Sequence, residues 1–131
     1  METKSNLDLL RELTYNLPDM SKAFDIQEDG SGVFHAQAGH LQGWKMYADK
    51  EFAIHRWYNS AGTVMQAHTH NAIEAIIILS GRIRVWMDDT EHILIKGDTI
   101  TIPLEKIHAV EVLEDTWDLT VTIPPAMGFP K

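Results

Sequence analysis

From Gly32 to Ile123 apolar and polar residues alternate over short runs, and turn-forming residues interrupt those runs at regular intervals. The extended segments this predicts are 33–36, 41–48, 51–59, 64–70, 72–79, 82–87, 92–95, 99–102, 107–113 and 117–123. Phe52, Ile54, Arg56 and Tyr58 alternate with Ala53, His55 and Trp57, the period of a strand whose successive side chains point to opposite faces. Turns are expected at Asp49-Lys50, Ser60-Ala61-Gly62, Ser80-Gly81, Asp88-Asp89, Lys96-Gly97-Asp98 and Glu114-Asp115. Strands this short and this evenly spaced indicate an all-β sandwich or barrel. No helical segment separates successive strands, which argues against a parallel α/β architecture. Ile76, Ile77, Ile78 and Leu79 are apolar on both parities, so their strand is expected to be central and covered on both faces.

The first residues follow a different period. Leu10, Leu13 and Leu17 recur at helical spacing with Leu7 and Leu9 beside them, predicting a short amphipathic helix over 5–17. Ser5 can cap it, with Asp8 three positions on, and Pro18 ends it. It is expected to pack on the outside of a barrel or across a dimer partner. The chain thus divides into a helix and lead-in over 1–31 and a β domain over 32–131, with an irregular tail from Pro124 to Pro130.

Composition bounds the function. A chain of 131 residues makes one domain, and 44% hydrophobic residues suffice for a core. No apolar run approaches the roughly 20 residues that span a bilayer. Met1-Glu2-Thr3-Lys4 lacks the apolar segment of a secretory signal, so a cytoplasmic location is expected. With no cysteine, disulfides, thiolate ligands and cysteine nucleophiles are excluded. A net charge of −8 repels phosphate backbones; Arg82 and Arg84 form a close basic pair, but Asp88 and Asp89 follow it. Nucleic-acid binding is therefore not expected.

The candidate chemistry lies in His68-Thr69-His70, Glu74 and His108, flanked by Gly62, Gly81 and Gly97. Imidazole nitrogens and a carboxylate oxygen are the ligands of a divalent transition metal such as iron, manganese, zinc or nickel. On a strand His68 and His70 share a face, and Glu74 keeps their parity unless a turn at Asn71-Ala72 breaks the count. A lone histidine would more simply be a surface or core residue; four groups at ligand spacing favour a metal site. Gln66 shares parity with His68 and either faces the cavity or sits in solvent at the strand start. Arg56 with Tyr58 could hold an anionic group, since arginine pairs carboxylates bidentately; alternatively their strand is an edge in a dimer interface, and parity alone does not choose the face. Gln66, Arg56 and Tyr58 are the candidates for catalytic roles. His35, His40 and His92 lack ligand spacing and are assigned to surface or turns, and Trp44, Trp86 and Trp117 to core or interface.

The segment Gly62 to Gly81 reads G-x5-H-x-H-x3-E-x6-G, which resembles the first cupin motif at every defined position. Gly97, Pro103 and His108 fit the second, G-x5-P-x-G-x2-H-x3-N, with Glu105 in place of its second glycine and Val112 in place of asparagine. The short spacer between the motifs, Arg82 to Lys96, is similar to that of small single-domain bacterial cupins. The resemblance implies a double-stranded β-helix, a jelly-roll barrel in which His68, His70, Glu74 and His108 hold one divalent transition metal. It also implies a homodimer and a small-molecule ligand or substrate. Glycine at position 105 would tolerate positive φ, so glutamate predicts a different turn between Pro103 and His108. The ending from Leu113 through Pro124-Pro125 resembles that of cupins acting on unsaturated sugar acids. That group carries an arginine after the paired prolines, where this chain has Ala126-Met127, and Glu74 is not its usual ligand. The implied function is a metal-dependent enzyme on a small polar, oxygen-rich metabolite, of dioxygenase, isomerase or sugar-acid converting type. The alternative is a non-catalytic module that binds or senses a small ligand through the metal.

Overall fold

Segments predicted as separate strands run together in the structure. The computed structural model describes residues 24–26, 31–34, 39–69 and 71–125, with only the backbone described for 24–26, 31–34 and Gln66. Its strands are β1 (Phe24–Ile26), β2 (Ser31–Phe34), β3 (Leu41–Ala48), β4 (Ala53–Asn59), β5 (Val64–His68), β6 (Ile73–Met87), β7 (Thr90–Ile95), β8 (Thr99–Ile102) and β9 (His108–Ile123). The helix expected over 5–17 lies outside the described residues, and among those described there is no helix.

β6 and β9 pair antiparallel along nearly their whole length, from Ile73↔Ile123 to Met87↔His108. The turns expected at Ser80-Gly81 and Glu114-Asp115 are instead register shifts facing each other in this ribbon. Before the shift Glu74, Ile76 and Ile78 point inward; after it Ile83 and Val85 do. One extra residue reverses parity and bends the strand, which keeps an apolar row inside on both sides of the bend. Each half of the ribbon then joins a different layer. The first layer runs β1-β2-β3-β4, then the C-terminal half of β9 and the N-terminal half of β6, with β8 beyond. The second places β5 and β7 on either side of the other two half-strands. All pairings are antiparallel, and the result is a two-layer jelly roll, as the resemblance implied.

The core between the layers comprises Ile76, Ile78, Ile83, Val85, Leu94, Ile100, Ile102, Val110 and Val112. Each such side chain stabilises the fold by roughly 1.5–3 kcal/mol when fully buried. Val112, in the motif's asparagine position, is 1% exposed and belongs to this core. The expectation that both faces of Ile76–Leu79 are covered is met only on one: Ile76 and Ile78 are buried, whereas Ile77 and Leu79 are 37% and 38% exposed on the outer face.

Two backbone positions hold the bends. Gly81 has φ +95°, and a Cβ there would land 2.7 Å from the Thr116 Cα, so the paired bulges leave no space for a side chain. Glu105 corrects the expected change of turn. It adopts φ 57°, the left-handed conformation glycine would supply, and Lys106 N–H closes the turn onto the Pro103 carbonyl at 3.2 Å. The loop keeps its shape and bears the strain of a non-glycine residue, about 1–2 kcal/mol.

Thermal melts should therefore move in opposite directions for two substitutions. Glu105→Gly should raise the midpoint by a few degrees, since about 1 kcal/mol corresponds to roughly 3–5 °C in a domain of this size. Gly81→Ala should lower it by more than that. A lower midpoint for Glu105→Gly would show the turn to be unstrained.

Candidate metal centre

β5 and β9 lie side by side with His68 directly opposite His108 in the register, and their ring centroids are 4.2 Å apart. Both are buried, at 3% and 1% exposed. Glu74, on the inward parity of β6, is 7% exposed. These three line one cavity between the layers, together with Leu41, Trp57, Asn59, Met65, Ile76, Ile83, Val110, Asp118 and Thr120. The cavity has a volume of about 50 Å³. His70 lies outside the described residues. No three His, Asp or Glu side chains among the described residues stand as a ready-made ligand group.

The donor chemistry of the three nonetheless fits a divalent ion. His108 Nδ1 is 2.9 Å from the Lys106 carbonyl oxygen. A carbonyl can only accept, so Nδ1 carries the proton and the lone pair is on Nε2, the tautomer a ligating histidine needs. Burial pushes the Glu74 carboxyl up to about 7, so a neighbouring cation is what would favour its ionised form. Asp118 is also raised to about 7, by burial first; hydrogen bonds from Thr120 and Asn59 oppose the rise, and the Glu74 charge adds to it.

The remaining candidates divide by face. On β4 the buried residues are Ala53, His55, Trp57 and Asn59, so Arg56 and Tyr58 fall on the outer side, away from the cavity. There the Arg56 guanidinium lies 5.2 Å and 5.3 Å from the ring centres of Trp44 and Trp117, which stack on each other at 5.6 Å. Tyr58 packs against Trp117 at 5.1 Å. A register shift falls between Met65 and His68, and Met65 lines the cavity; the side chain of Gln66 lies outside the described residues. Sequence reasoning missed Asn59, Asp118 and Thr120. Thr116, Asp118, Thr120 and Thr122 point inward while Trp117, Leu119, Val121 and Ile123 are less buried and face out, the reverse of the usual polarity. The alternation was visible, but apolar-inward reasoning assigns it to the wrong face.

Comparison with known proteins agrees with this architecture. A family model described as the cupin domain matches residues 56–123. The chain belongs to the cupin family. Among solved structures it is similar to an RmlC-like cupin from Shewanella frigidimarina, at 16% identity and TM-score 0.63, covering 79% of this chain and 86% of that one. KdgF from a Halomonas species aligns at 16% identity and TM-score 0.62, over 82% of this chain and 93% of its own. The EutQ protein of Clostridium difficile aligns at 16% identity and TM-score 0.60, over 66% and 70%. At these identities the likeness shows the fold. No curated protein matches.

The buried carboxyls set a pH dependence for the cation-free protein. Unfolded carboxyls release their protons near about pH 4, whereas folded Glu74 and Asp118 hold theirs to about 7. Between those values the folded state binds more protons, so stability falls as pH rises and levels off above 7. His55 works the other way: burial, then the Lys45 charge, lowers it to about 4, so it costs stability as pH drops below the usual histidine value. With chelator present, each carboxyl should remove on the order of 1 kcal/mol per pH unit across the window. Urea unfolding should give a lower midpoint at pH 7.5 than at 5.5, with a shallower fall in Asp118→Asn. Equal midpoints in the parent protein would contradict the assignment.

Proposed function

We propose that this cupin is a metal-dependent enzyme acting on a small, oxygen-rich molecule, with His68, His70, Glu74 and His108 as the ligands of one divalent transition metal. The observation that carries this reading is the bond from His108 Nδ1 to the Lys106 carbonyl, which aims the tautomer while His68 and Glu74 line the same cavity. Iron, manganese, zinc and nickel all suit two or three imidazoles and a carboxylate. When bound, such an ion supplies Lewis-acid polarisation of a substrate oxygen. The chain's own contribution is to bury the reacting group, orient it against Trp57 and the apolar wall, and offer a carboxyl near neutrality at Asp118. A carboxyl with that pKa can hold or move a proton at neutral pH. A cavity lined wholly by apolar groups would instead favour the alternative, a non-catalytic small-ligand binding module.

A cytoplasmic homodimer belongs to the same proposal. Ile73, Ile77, Leu79 and Ile123 leave an apolar strip on the outer face of the first layer, the kind of surface a second copy covers. Sedimentation should give a dimer, and Ile77→Glu should shift it toward monomer; a monomeric parent protein would exclude this arrangement.

Elemental analysis of protein purified without a metal-affinity tag should find close to one equivalent of transition metal per chain. His108→Ala and His68→Ala should weaken binding on the order of 100-fold or more, beyond what loss of an outer-shell partner costs. Exposed His40→Ala should retain the metal. Full occupancy in His108→Ala would remove the assigned centre.

A further inference from the structure

The cavity carries a second polar constellation that the ligand set does not use. Asp118 is 7% exposed and Asn59 3%. Asn59 Nδ2 donates to Asp118 Oδ2 at 2.9 Å, and Thr120 Oγ1 donates to Asp118 Oδ1 at 2.9 Å. Each carboxylate oxygen has about two acceptor sites, so each keeps one beyond these bonds. The two donors lock the plane of the carboxyl, and all three residues line the cavity that holds His68, Glu74 and His108.

Its place in the ribbon differs from that of Glu74. Asp118 pairs with Ile78, whereas Glu74 pairs with Thr122. Asp118 and Glu74 therefore enter the one cavity from rungs four residues apart, near enough for the Glu74 charge to act on Asp118. Ile76, on the rung midway between them, and Trp57, the β4 partner of Asp118, give the cavity an apolar wall that suits a carbon skeleton. The volume of about 50 Å³ admits only a few water positions at about 10–15 Å³ each, which limits the enclosed part of a ligand to a handful of heavy atoms.

The geometry points to Asp118, held by Asn59 and Thr120, as the hydroxyl-recognising anchor of a site for small hydroxy acids. The ligand's carboxylate lies toward the His68–Glu74–His108 end and its hydroxyl toward Asp118. This rests on the metal reading above: two or three neutral imidazoles and one carboxylate leave a divalent ion net positive, which suits a ligand carboxylate. The far end needs a different partner. A hydroxyl both donates and accepts, so it satisfies Asp118 whether or not the carboxyl is ionised. A second carboxylate cannot donate and would face a like charge. An alkyl group would strand the carboxyl's remaining acceptor sites, the loss by which hydrogen-bonding sites reject analogues that lack the group.

D-glycerate and propionate, which share a three-carbon acid skeleton, separate the possibilities. Calorimetric titration of zinc-loaded protein should show glycerate binding at least tenfold more tightly than propionate. Asp118→Asn should lower the glycerate affinity about tenfold and leave propionate unchanged. The parent protein's own preference decides the matter if that variant does not fold. Equal affinities in the parent, or a parallel loss of both acids in Asp118→Asn, would overturn the anchor. Metal content measured on the same samples keeps the two readings apart. Protein that takes up no zinc sinks the metal centre, while loaded protein that ignores the hydroxyls sinks only the role of Asp118.

Discussion

The pairing of β6 with β9 is the interaction on which the rest of the molecule depends. The ribbon contributes strands to both layers, and its bulges at Ser80–Arg82 and beyond Glu114 let one pair of strands turn from one layer into the other. Glu74, His108 and Asp118 all sit on this ribbon, so the geometry of the cavity follows from its register. A slip by one residue would carry each of them to the outer face. The left-handed glycine at position 81 and the buried Thr116 hydroxyl, which donates to the Glu114 carbonyl at 2.7 Å, fix the bend in place.

The first layer carries polar groups on its inner side, among apolar ones such as Ile76, Ile78 and Ile102, and an apolar strip on its outer side. Asn59, Asp118, Thr120 and Thr122 are buried along its inner side, while Ile73, Ile77, Leu79 and Ile123 stand exposed on the outer one. Burying polar groups costs free energy unless each is hydrogen-bonded, and here the bonds among Asn59, Asp118 and Thr120 offset part of that cost. The carboxyls remain raised toward 7 even so. A fold maintained for stability alone would carry aliphatic residues there, like Val110 and Val112 in the adjoining core. Two buried carboxyls beside two buried histidines are the observation from which the proposed metal-dependent function is argued.

Much of this was legible in the chain. Short runs with regular turns specified the all-β fold, and the spacing of His68, Glu74 and His108 brought out residues that the structure places on one cavity. What failed did so for physical reasons. Gly81 and Asp115 read as turns because bulges use the same residue types as turns, and only the pairing of two distant segments distinguishes them. For Arg56 and Tyr58 parity left both faces open, and only the pairing of β4 with its neighbours shows that His55, Trp57 and Asn59 are the buried set. Asp118 was overlooked because the inner face of its strand is the polar one. Glu105 seemed to change a turn that its neighbours hold in the left-handed form regardless.

The central claim is that His68, Glu74 and His108, with His70, surround a single cation inside the barrel. Anomalous diffraction from crystals of the zinc-loaded protein, collected on either side of the zinc edge, tests it most directly. One peak per chain is expected, within bonding distance of the His108 Nε2 and the Glu74 carboxylate. A peak at the protein surface, or none between those side chains at full zinc occupancy, would contradict it.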